Sequence, residues 1–339
     1  MKAVHLKKGI VSICSRPDPV LRTPHDCIIK TAYASICGCD MMTFRGEADE
    51  PNDGFIGHEA SGILVQKGEA VSSEFEIGDR VVLEPFLRCM RCNECRSGRV
   101  EYCENKTVTT TMMAEYIVVD ERQVYKLPEN ISLKAGCLTE PVIMGLQAVS
   151  NANIDKGKNV IILGGGAMGQ IILRLAHLYP VSSVIVVEIN ERKRKMAKEA
   201  GATAVINPEK ENVVAAVMDL TNSRGGDCVI EASGSRRSAE LAIHLTARGG
   251  SLVYFSLYGA DFQMTINPFS LFWKDITLRG CFVPAFTMQK ALEIMPRVNM
   301  EEVITAVYPF EQAPEAFDAK YKGDHAKVAL QFSWAKNIF

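Results

Sequence analysis

The sequence predicts an α/β protein of two domains, one β-rich and one built on a doubly wound parallel sheet of six strands. Its 339 residues exceed what a single hydrophobic core usually serves, so two cores are expected. Up to about residue 148, short β-like runs are broken by Gly, Pro and Asp. From about residue 155, strands and helices alternate, which is typical of a parallel sheet with helical crossovers.

The alternating half has the most clearly marked elements. Apolar runs such as Val184–Val187 lack polar positions, as a sheet covered by helices on both faces requires. The expected strands are Val160–Leu163, Val184–Glu188, Ala204–Ile206, Cys228–Glu231, Ser251–Ser256 and Ile276–Cys281. The expected helices are Gln170–Leu178, Arg192–Ala200, Val213–Leu220 and Ser238–Leu245.

The remaining tail has no obvious place in a six-stranded doubly wound sheet. It is expected to form a helix, a strand, a helix and a strand, near Met288–Met295, Val303–Tyr308, Pro314–Tyr321 and Lys327–Phe332. We therefore expect the tail to return to the first domain and complete it.

Composition excludes several classes of partner. The net charge is -2 and the pI about 6.3, so no basic surface is expected for nucleic acid. No segment approaches the ~18 unbroken apolar residues of a membrane span. The N-terminus alternates like a strand and lacks the apolar core of a secretory signal. We expect a soluble, cytoplasmic protein that binds neither nucleic acid nor membrane.

Four of the eleven cysteines crowd into one loop, which predicts a structural zinc site. They are Cys89, Cys92, Cys95 and Cys103. Four thiolates close a tetrahedral zinc shell and leave no position for substrate. Two disulfides are the alternative, and they are disfavoured in a long chain expected to be cytoplasmic. The scattered Cys14, Cys27, Cys228 and Cys281 are interpreted as small buried hydrophobic residues.

A second set of potential metal ligands is spread more widely. It consists of Cys37, the neighbours His58 and Glu59, and Glu140 just before Pro141. Each signal is weak alone, because a single histidine is commonly structural and Glu-Pro commonly opens a helix. Together, one thiolate, one imidazole and one carboxylate suit a catalytic zinc that keeps a position free for substrate.

A glycine-rich turn predicts a dinucleotide site. The turn joins a predicted strand to a predicted helix, where backbone N–H groups can hold a pyrophosphate. Its residues are Gly164, Gly165, Gly166, Ala167, Met168 and Gly169. Glu188 ends the next strand, where a carboxylate can bind the ribose hydroxyls and repel a 2'-phosphate, which favours NAD over NADP. The basic run Arg192–Lys195 could attract such a phosphate, but a solvated helix face is the simpler interpretation.

With these features in order, the sequence resembles the zinc-containing medium-chain dehydrogenase/reductases, in the polyol (sorbitol) and threonine dehydrogenase branch. The pattern Gly57-His58-Glu59-x2-Gly62-x5-Gly68-x2-Val71 fits that family's zinc signature at every fixed position. Further shared segments follow in the expected order: Gly78–Val81, the four-cysteine loop, Ala114–Tyr116, Lys126–Pro128, Thr139–Pro141 and the glycine turn.

The resemblance implies a particular domain arrangement. A GroES-like β-rich catalytic domain would span residues 1–148 and resume at 285–339, with a Rossmann NAD-binding domain at 149–284. The active site would lie in the cleft between them. Related enzymes form homodimers or homotetramers, commonly through the edges of the cofactor domain.

The resemblance also implies residue roles. Cys37 and His58 would bind the catalytic zinc, with either Glu59 or Glu140 as the carboxylate. Further cofactor contacts would come from Arg192 or Lys193 near the adenosine ribose, Phe255, Ser256 and Leu257 after the fifth strand, and Cys281, Phe282 and Val283 beside the nicotinamide.

The sequence departs from the family at its proton relay. The family usually has Ser or Thr two residues after the zinc cysteine, and often His three residues further on, where this chain has Cys39 and Met42. A thiol is a weak hydrogen-bond donor and a thioether cannot relay protons. Bound water, a substrate hydroxyl or Glu59 are alternatives, and Cys39 is a spare candidate for the metal.

The expected function is hydride transfer between a secondary alcohol, of polyol, diol or sugar-alcohol type, and NAD. Zinc lowers the pKa of bound water from 15.7 to about 7, and similar polarisation would activate an alcohol or a ketone. One alternative is a dehydrogenase of a bulkier secondary alcohol (sugar phosphate or steroid). Two others are a non-catalytic zinc-stabilised NADH sensor and a zinc-free quinone reductase, and the sequence argues against both.

Overall fold

The computed structural model of the protein describes residues 1–49, 52–259 and 261–337. The chain forms two compact units. The first comprises Met1–Ile143 and Ala285–Phe339, and the second Met144–Pro284. Among the described residues, no helix has both the length and the apolar character that crossing a membrane requires.

The first part of the chain is mainly β-structure. Its strands are β1 (Lys2–Lys7), β2 (Ile10–Ser15), β3 (Asp26–Ser35), β4 (Ala60–Lys67), β5 (Arg80–Leu83), β6 (Phe86–Leu87), β7 (Thr107–Val108), β8 (Tyr116–Asp120) and β9 (Val124–Lys126). Its helices are α1 (Gly38–Phe44), α2 (Asn93–Arg96), α3 (Leu133–Gly136) and α4 (Thr139–Asn151). Strand β3 is almost continuously buried because β4, β8 and a strand from the tail all pair with it.

The second unit is built on a parallel sheet. Its strands are β10 (Asn159–Leu163), β11 (Ser183–Val187), β12 (Ala204–Ile206), β13 (Gly226–Glu231), β14 (Thr246–Tyr254) and β15 (Thr277–Gly280). Its helices are α5 (Ala167–Ala176), α6 (Glu191–Glu199), α7 (Val213–Leu220), α8 (Arg236–Leu245) and α9 (Pro268–Lys274). Within the described residues the strand order is β12-β11-β10-β13-β14-β15, all parallel. The predicted α/β fold class with a doubly wound sheet is thereby confirmed.

The order of these strands locates a ligand crevice. Successive strands run outward from β10 to β12, and the chain then returns to place β13 on the other side of β10. In open parallel sheets, ligands bind outside the carboxyl ends of the strands at such a reversal. The crevice of this sheet therefore lies beyond the ends of β10 and β13.

The tail adds two helices and two strands to the first unit. They are α10 (Met288–Ile294), β16 (Ile304–Pro309), α11 (Ala313–Tyr321) and β17 (Lys327–Gln331). Strand β17 is parallel to β16 and antiparallel to β3, with Ala329 opposite Ser35. The tail strands therefore extend the sheet of the first unit.

Two differences from the sequence-based expectations concern local features. Helix α9 was not expected, although Asn267 caps its first turn and Pro268 takes its first position, which is a common helix start. Cys27 and Cys228 are buried, but Cys14 and Cys281 are only partly buried, so the expected burial is wrong for the latter two. Both lie near the surface of their unit, where a small thiol can pack on one side alone.

Candidate active site

Cys37, Cys39 and His58 meet where two elements of the first unit begin. Cys37 is the residue before α1, Cys39 is in its first turn, and His58 lies two residues before β4. One ligand atom from each lies within 4.8 Å of those of the other two. The backbone N–H of Cys37 donates to Asp40 Oδ2 at 2.8 Å, which fixes how the chain enters α1. The two cysteines are thus held at a defined distance from each other.

The loop before β4 positions His58 through a conformation that favours glycine. Gly57 has φ +99°, and a Cβ at this position would lie 2.5 Å from the side chain of Met113. Met113 is itself buried. A larger residue at position 57 would therefore strain the backbone and displace the imidazole of His58.

Two carboxylates complete the cluster. One ligand atom each from His58, Glu59 and Glu140 lies within 4.8 Å of the other two, so His58 belongs to both groups. Glu140 is in the first turn of α4, and Glu59 follows His58 directly. Both carboxylates are buried, with exposed fractions of 7% and 1%. The structure thus brings together all five residues that the sequence indicated for catalysis.

The charge balance of the cluster fits a divalent cation. Three buried carboxylates, from Asp40, Glu59 and Glu140, surround His58. Lys327 contributes one buried ammonium, which pairs with Glu59. Buried carboxylates are costly unless cations compensate them. Thiol, imidazole and carboxylate donors are also the types that bind zinc, so the donor set fits this ion.

The protonation of the cluster follows from the same contacts. A hydrogen bond from Cys39 holds the pKa of the Cys37 thiol well below its usual value, and raises the pKa of Cys39. Burial raises the pKa of Glu140 to about 7 and that of Asp40 to about 6. Burial opposes protonation of His58, but the Cys37 thiolate and the carboxylates outweigh it and raise its pKa. Cys37 is therefore the thiol best prepared to bind as a thiolate.

Glu59 is engaged by the protein itself. Lys327 Nζ lies 2.7 Å from Oε1 and 2.6 Å from Oε2 of Glu59, and Ser35 Oγ also donates to Oε2. Burial alone would lower the pKa of Lys327, but the nearby Glu59 carboxylate outweighs burial and raises it. Sequence reasoning missed Lys327, since its partner lies 268 residues away and a lysine before an apolar strand looks like an ordinary strand end.

The four-cysteine loop closes on itself in the first unit. The Sγ atoms of Cys89, Cys92, Cys95 and Cys103 all lie within 4.8 Å of one another. Two of their separations are 3.5 Å, between Cys103 and Cys89, and 3.9 Å, between Cys92 and Cys103. Backbone N–H groups, that of Arg91 foremost, lower the pKa of Cys89 to about 6. The loop offers four thiols and fits a closed, structural zinc site.

The glycine turn lies in the second unit between β10 and α5. Gly169 must be glycine because a Cβ there would lie 1.9 Å from the carbonyl oxygen of Gly164. Gly166 precedes the first residue of α5, and a Cβ on it would meet nothing within 4 Å. This open space lies at a helix N-terminus, where backbone N–H groups attract a pyrophosphate. Ala167 and Met168 form the first turn of the same helix.

Glu188 is fixed beside this turn, directly after β11. Its Oε2 accepts a hydrogen bond from the N–H of Gly165 at 2.6 Å, and its Oε1 accepts one from the N–H of Asn190 at 2.8 Å. Arg192, which is exposed, and Lys193, which is half-buried, lie in the first turn of α6. The carboxylate is therefore held in place beside the glycine turn.

The other predicted cofactor residues also follow strand ends. Phe255, Ser256 and Leu257 follow β14, and Cys281, Phe282 and Val283 follow β15. Carboxyl ends of parallel strands share one edge of the sheet, so these segments lie on the edge that carries the glycine turn.

Sequence reasoning missed Glu231 at the same edge. This carboxylate is fully buried at the end of β13 and accepts hydrogen bonds from the backbone N–H of Ser233 at 2.9 Å and from the Tyr258 hydroxyl. A glutamate ending the apolar run Cys228–Ile230 was the available signal. The contacts tie the loops after β13 and β14 together.

Comparison with known proteins gives two matching families. An alcohol dehydrogenase GroES-like domain matches residues 23–129, and a zinc-binding dehydrogenase domain matches residues 167–297. A protein of Aspergillus clavatus described as a probable D-xylulose reductase A is 32% identical over 331 residues, covering 93% of this chain and 92% of its own.

Solved structures give the same result. A zinc-binding dehydrogenase of Sinorhizobium meliloti, bound to NADP, has a TM-score of 0.90 and 28% identity, covering 97% of this chain and 98% of its own. Galactitol-1-phosphate dehydrogenase of Escherichia coli has a TM-score of 0.89 and 26% identity, covering 98% and 100%. The resemblance found in the sequence is confirmed. The chain belongs to the zinc-containing medium-chain dehydrogenases, as a polyol dehydrogenase-like oxidoreductase that acts on an alcohol with zinc and a nicotinamide cofactor.

Proposed function

We propose that the protein interconverts a polyol and the corresponding keto sugar, using zinc at Cys37, His58 and Glu140 and NAD(H) as the hydride carrier. The observation that carries the proposal is the cluster around His58, in which buried carboxylates outnumber the one buried ammonium and the pKa of the Cys37 thiol is lowered. When bound, zinc polarises the oxygen of an alcohol or ketone, and the nicotinamide exchanges the hydride. The side chains would hold the metal through their donor atoms.

We infer that Glu140, not Glu59, is the carboxylate ligand. Both oxygens of Glu59 are engaged by Lys327, and Ser35 adds a further donor to one of them. Among the described residues, no salt bridge or hydrogen bond engages the carboxylate of Glu140. Glu140 is therefore the carboxylate with lone pairs to spare for a metal. Glu59 and Lys327 form a buried ion pair next to His58.

We propose NAD as the natural cofactor. The Glu188 carboxylate is fixed next to the glycine turn by two backbone N–H groups, so it cannot easily turn away from a 2'-phosphate. The neighbouring Ile189 is exposed and offers no charge to such a phosphate. The solved structure from Sinorhizobium meliloti is bound to NADP. The quantity to measure is therefore the ratio of kcat/KM with NAD to kcat/KM with NADP.

The substrate class rests on the named relatives and on the oxygen-rich donor set. One relative is described as a D-xylulose reductase and one neighbour acts on galactitol 1-phosphate. A panel of xylitol, sorbitol, butane-2,3-diol, galactitol 1-phosphate and a hydroxysteroid, followed by NADH absorbance with and without chelator, tests the proposal. Chelator-sensitive turnover of a free polyol supports it. Turnover of only the steroid or only the phosphate ester would show that a free polyol is the wrong substrate class. Binding of NADH without any turnover would favour a sensor.

We also propose that the enzyme is a homodimer or homotetramer in the cytoplasm. Phe269, Phe272 and Trp273 of α9 and Leu278 of the edge strand β15 are all exposed. These four residues, called here the edge surface, lie at one end of the parallel sheet. An apolar patch beside an edge strand is typical of an interface. The eleven cysteines are free thiols, which a reducing compartment maintains.

A further inference from the structure

We propose that Cys39 is itself a metal ligand, so that without substrate the catalytic zinc is held by the thiolates of Cys37 and Cys39 together with His58 and a carboxylate. This inference rests on the proposed function, because it concerns the same metal. It changes the nature of the resting site, which would be closed by the protein instead of open to solvent.

The separation of the two thiols carries the inference. Cys37 Sγ and Cys39 Sγ lie 3.8 Å apart. Two sulfurs bound to one tetrahedral zinc at about 2.3 Å each lie about 3.8 Å apart. The thiols of the four-cysteine loop show the same spacing, at 3.5 Å and 3.9 Å. The pair at positions 37 and 39 is therefore spaced as zinc requires, and as the thiols of the four-cysteine loop are spaced.

A third donor lies at the same point. The ligand atom of His58 is within 4.8 Å of both thiols. The carboxylates of Glu59 and Glu140 form a second group with His58, so His58 is shared by both groups. The two thiols and His58 thus supply three donors at one point, and the carboxylates that share His58 are the candidates for the fourth.

The backbone holds this arrangement in place. Cys37 lies in extended conformation before α1, and its N–H is bound by Asp40. Only Gly38 separates the two cysteines, and the N–H of Met41 closes the first turn on the carbonyl of Cys37 at 3.3 Å. The distance between the two Cα atoms is therefore set by the start of the helix. Because the backbone is fixed, rotation of the Cys39 side chain is what turns its sulfur toward or away from His58.

Cys39 differs from the other donors in its exposure. It is exposed, whereas Cys37 and His58 are partly buried and both glutamates are buried. A substrate hydroxyl that approaches the metal from this exposed side meets the Cys39 side chain first. Cys39 and the substrate oxygen therefore compete for one position, and the thiol must turn aside before an alcohol can react.

Cobalt substitution tests the inference, because thiolate-to-Co²⁺ charge-transfer absorption counts the sulfur ligands. The full chain is loaded with Co²⁺ at both sites, its metal content is measured, and the spectrum is compared with that of Cys39→Ser. Six thiolates are expected in the wild type, so Cys39→Ser lowers the charge-transfer intensity by about one sixth if both ions remain, or by about one third if the second ion leaves. Cys14→Ser, a thiol outside both sites, is the matched control and leaves the spectrum unchanged.

The outcomes separate the two hypotheses. A Cys39→Ser spectrum equal to that of the wild type overturns the inference but leaves the proposed function in place. A wild type that binds only one Co²⁺ per chain overturns both. A second measurement uses alkylation of Cys39, followed by mass spectrometry. Saturating polyol with NADH speeds the reaction if the substrate displaces the thiol, and an unchanged rate contradicts that displacement.

Discussion

The Glu59–Lys327 pair is a buried ion pair beside the metal-ligand cluster at His58. Both side chains are buried, and the ammonium lies within 2.7 Å of each carboxylate oxygen. Removing one member of a buried pair leaves an uncompensated charge, which costs about 3–5 kcal/mol. We therefore expect Lys327→Met to lower the free energy of unfolding by about this amount, measured in urea at saturating zinc.

Two further variants make this prediction specific. Lys126→Met removes the ammonium of the exposed Lys126–Asp79 pair, and it is expected to cost less than about 1 kcal/mol. The double variant Glu59→Gln with Lys327→Met is expected to recover much of the loss, because no lone charge remains. Equal losses of unfolding free energy from Lys327→Met and Lys126→Met would mean that a group other than Lys327 compensates the charge of Glu59.

Glu188 carries the prediction for cofactor preference. Glu188→Gln keeps an acceptor for the N–H of Gly165 and removes the negative charge. Hydrogen bonds to charged groups contribute about 1.5–3 kcal/mol, so the ratio of kcat/KM for NAD to that for NADP is expected to fall at least about tenfold. Steady-state kinetics with both cofactors measures it. Glu191→Gln, on an exposed side chain of the next helix, is the matched control. An unchanged ratio would mean that Glu188 does not discriminate.

At the scale of elements, the four-cysteine loop and the cluster at His58 are expected to fail in different ways. Only short elements, α2 and a 3-10 turn, connect the four thiols, so the metal replaces a hydrophobic core there. We expect Cys92→Ser to cost about 2 kcal/mol, which lowers the Tm by about 5 °C. His58→Ala is expected to abolish turnover and to leave NADH binding largely intact. Calorimetry and NADH fluorescence measure the two effects.

A contrary result is easily recognised. His244→Ala, on an exposed histidine of α8, is the control for loss of an imidazole and is expected to retain full activity. Equal loss of turnover in Cys92→Ser and His58→Ala, without a change in Tm, would contradict the division into a structural and a catalytic metal.

The sequence predicted those elements whose structure is determined by residues close together in the chain. The parallel strands are visible in the sequence as apolar runs. The glycine turn is visible because Gly169 must be glycine, since the carbonyl of Gly164 leaves no space for a Cβ. Lys327 could not be found in this way, since only the pairing of β17 with β3 brings it to Glu59. The choice between Glu59 and Glu140 likewise depended on which carboxylate the fold had already engaged. Helix α9 was missed because its apolar residues face outward, contrary to the usual pattern of a monomer.

At the scale of the whole molecule, the edge surface has the features of a contact between copies. Phe272 is 80% exposed and Trp273 is 59% exposed, and all four residues of β15 are exposed. A strand with free hydrogen-bonding groups on one side can pair with its counterpart in a second chain. Closed two-fold symmetry lets the same patch serve both copies. Exposure within one chain is therefore explained if the functional unit contains at least two.

Phe272→Asp tests that assembly. A carboxylate placed in an apolar contact must be desolvated without a partner, so the dissociation constant is expected to rise about a hundredfold or more. The side chain is exposed in the single chain, so its replacement should leave the fold intact, as circular dichroism can verify. Light scattering after gel filtration, over a dilution series, distinguishes the 37.3 kDa protomer from larger species. Leu220→Asp makes the same kind of change at an exposed leucine of α7 and is the matched control. It is expected to keep the wild-type mass of the assembly. If Phe272→Asp and Leu220→Asp behave alike, the chains associate through another surface, and the outward apolar face of α9 needs a different partner.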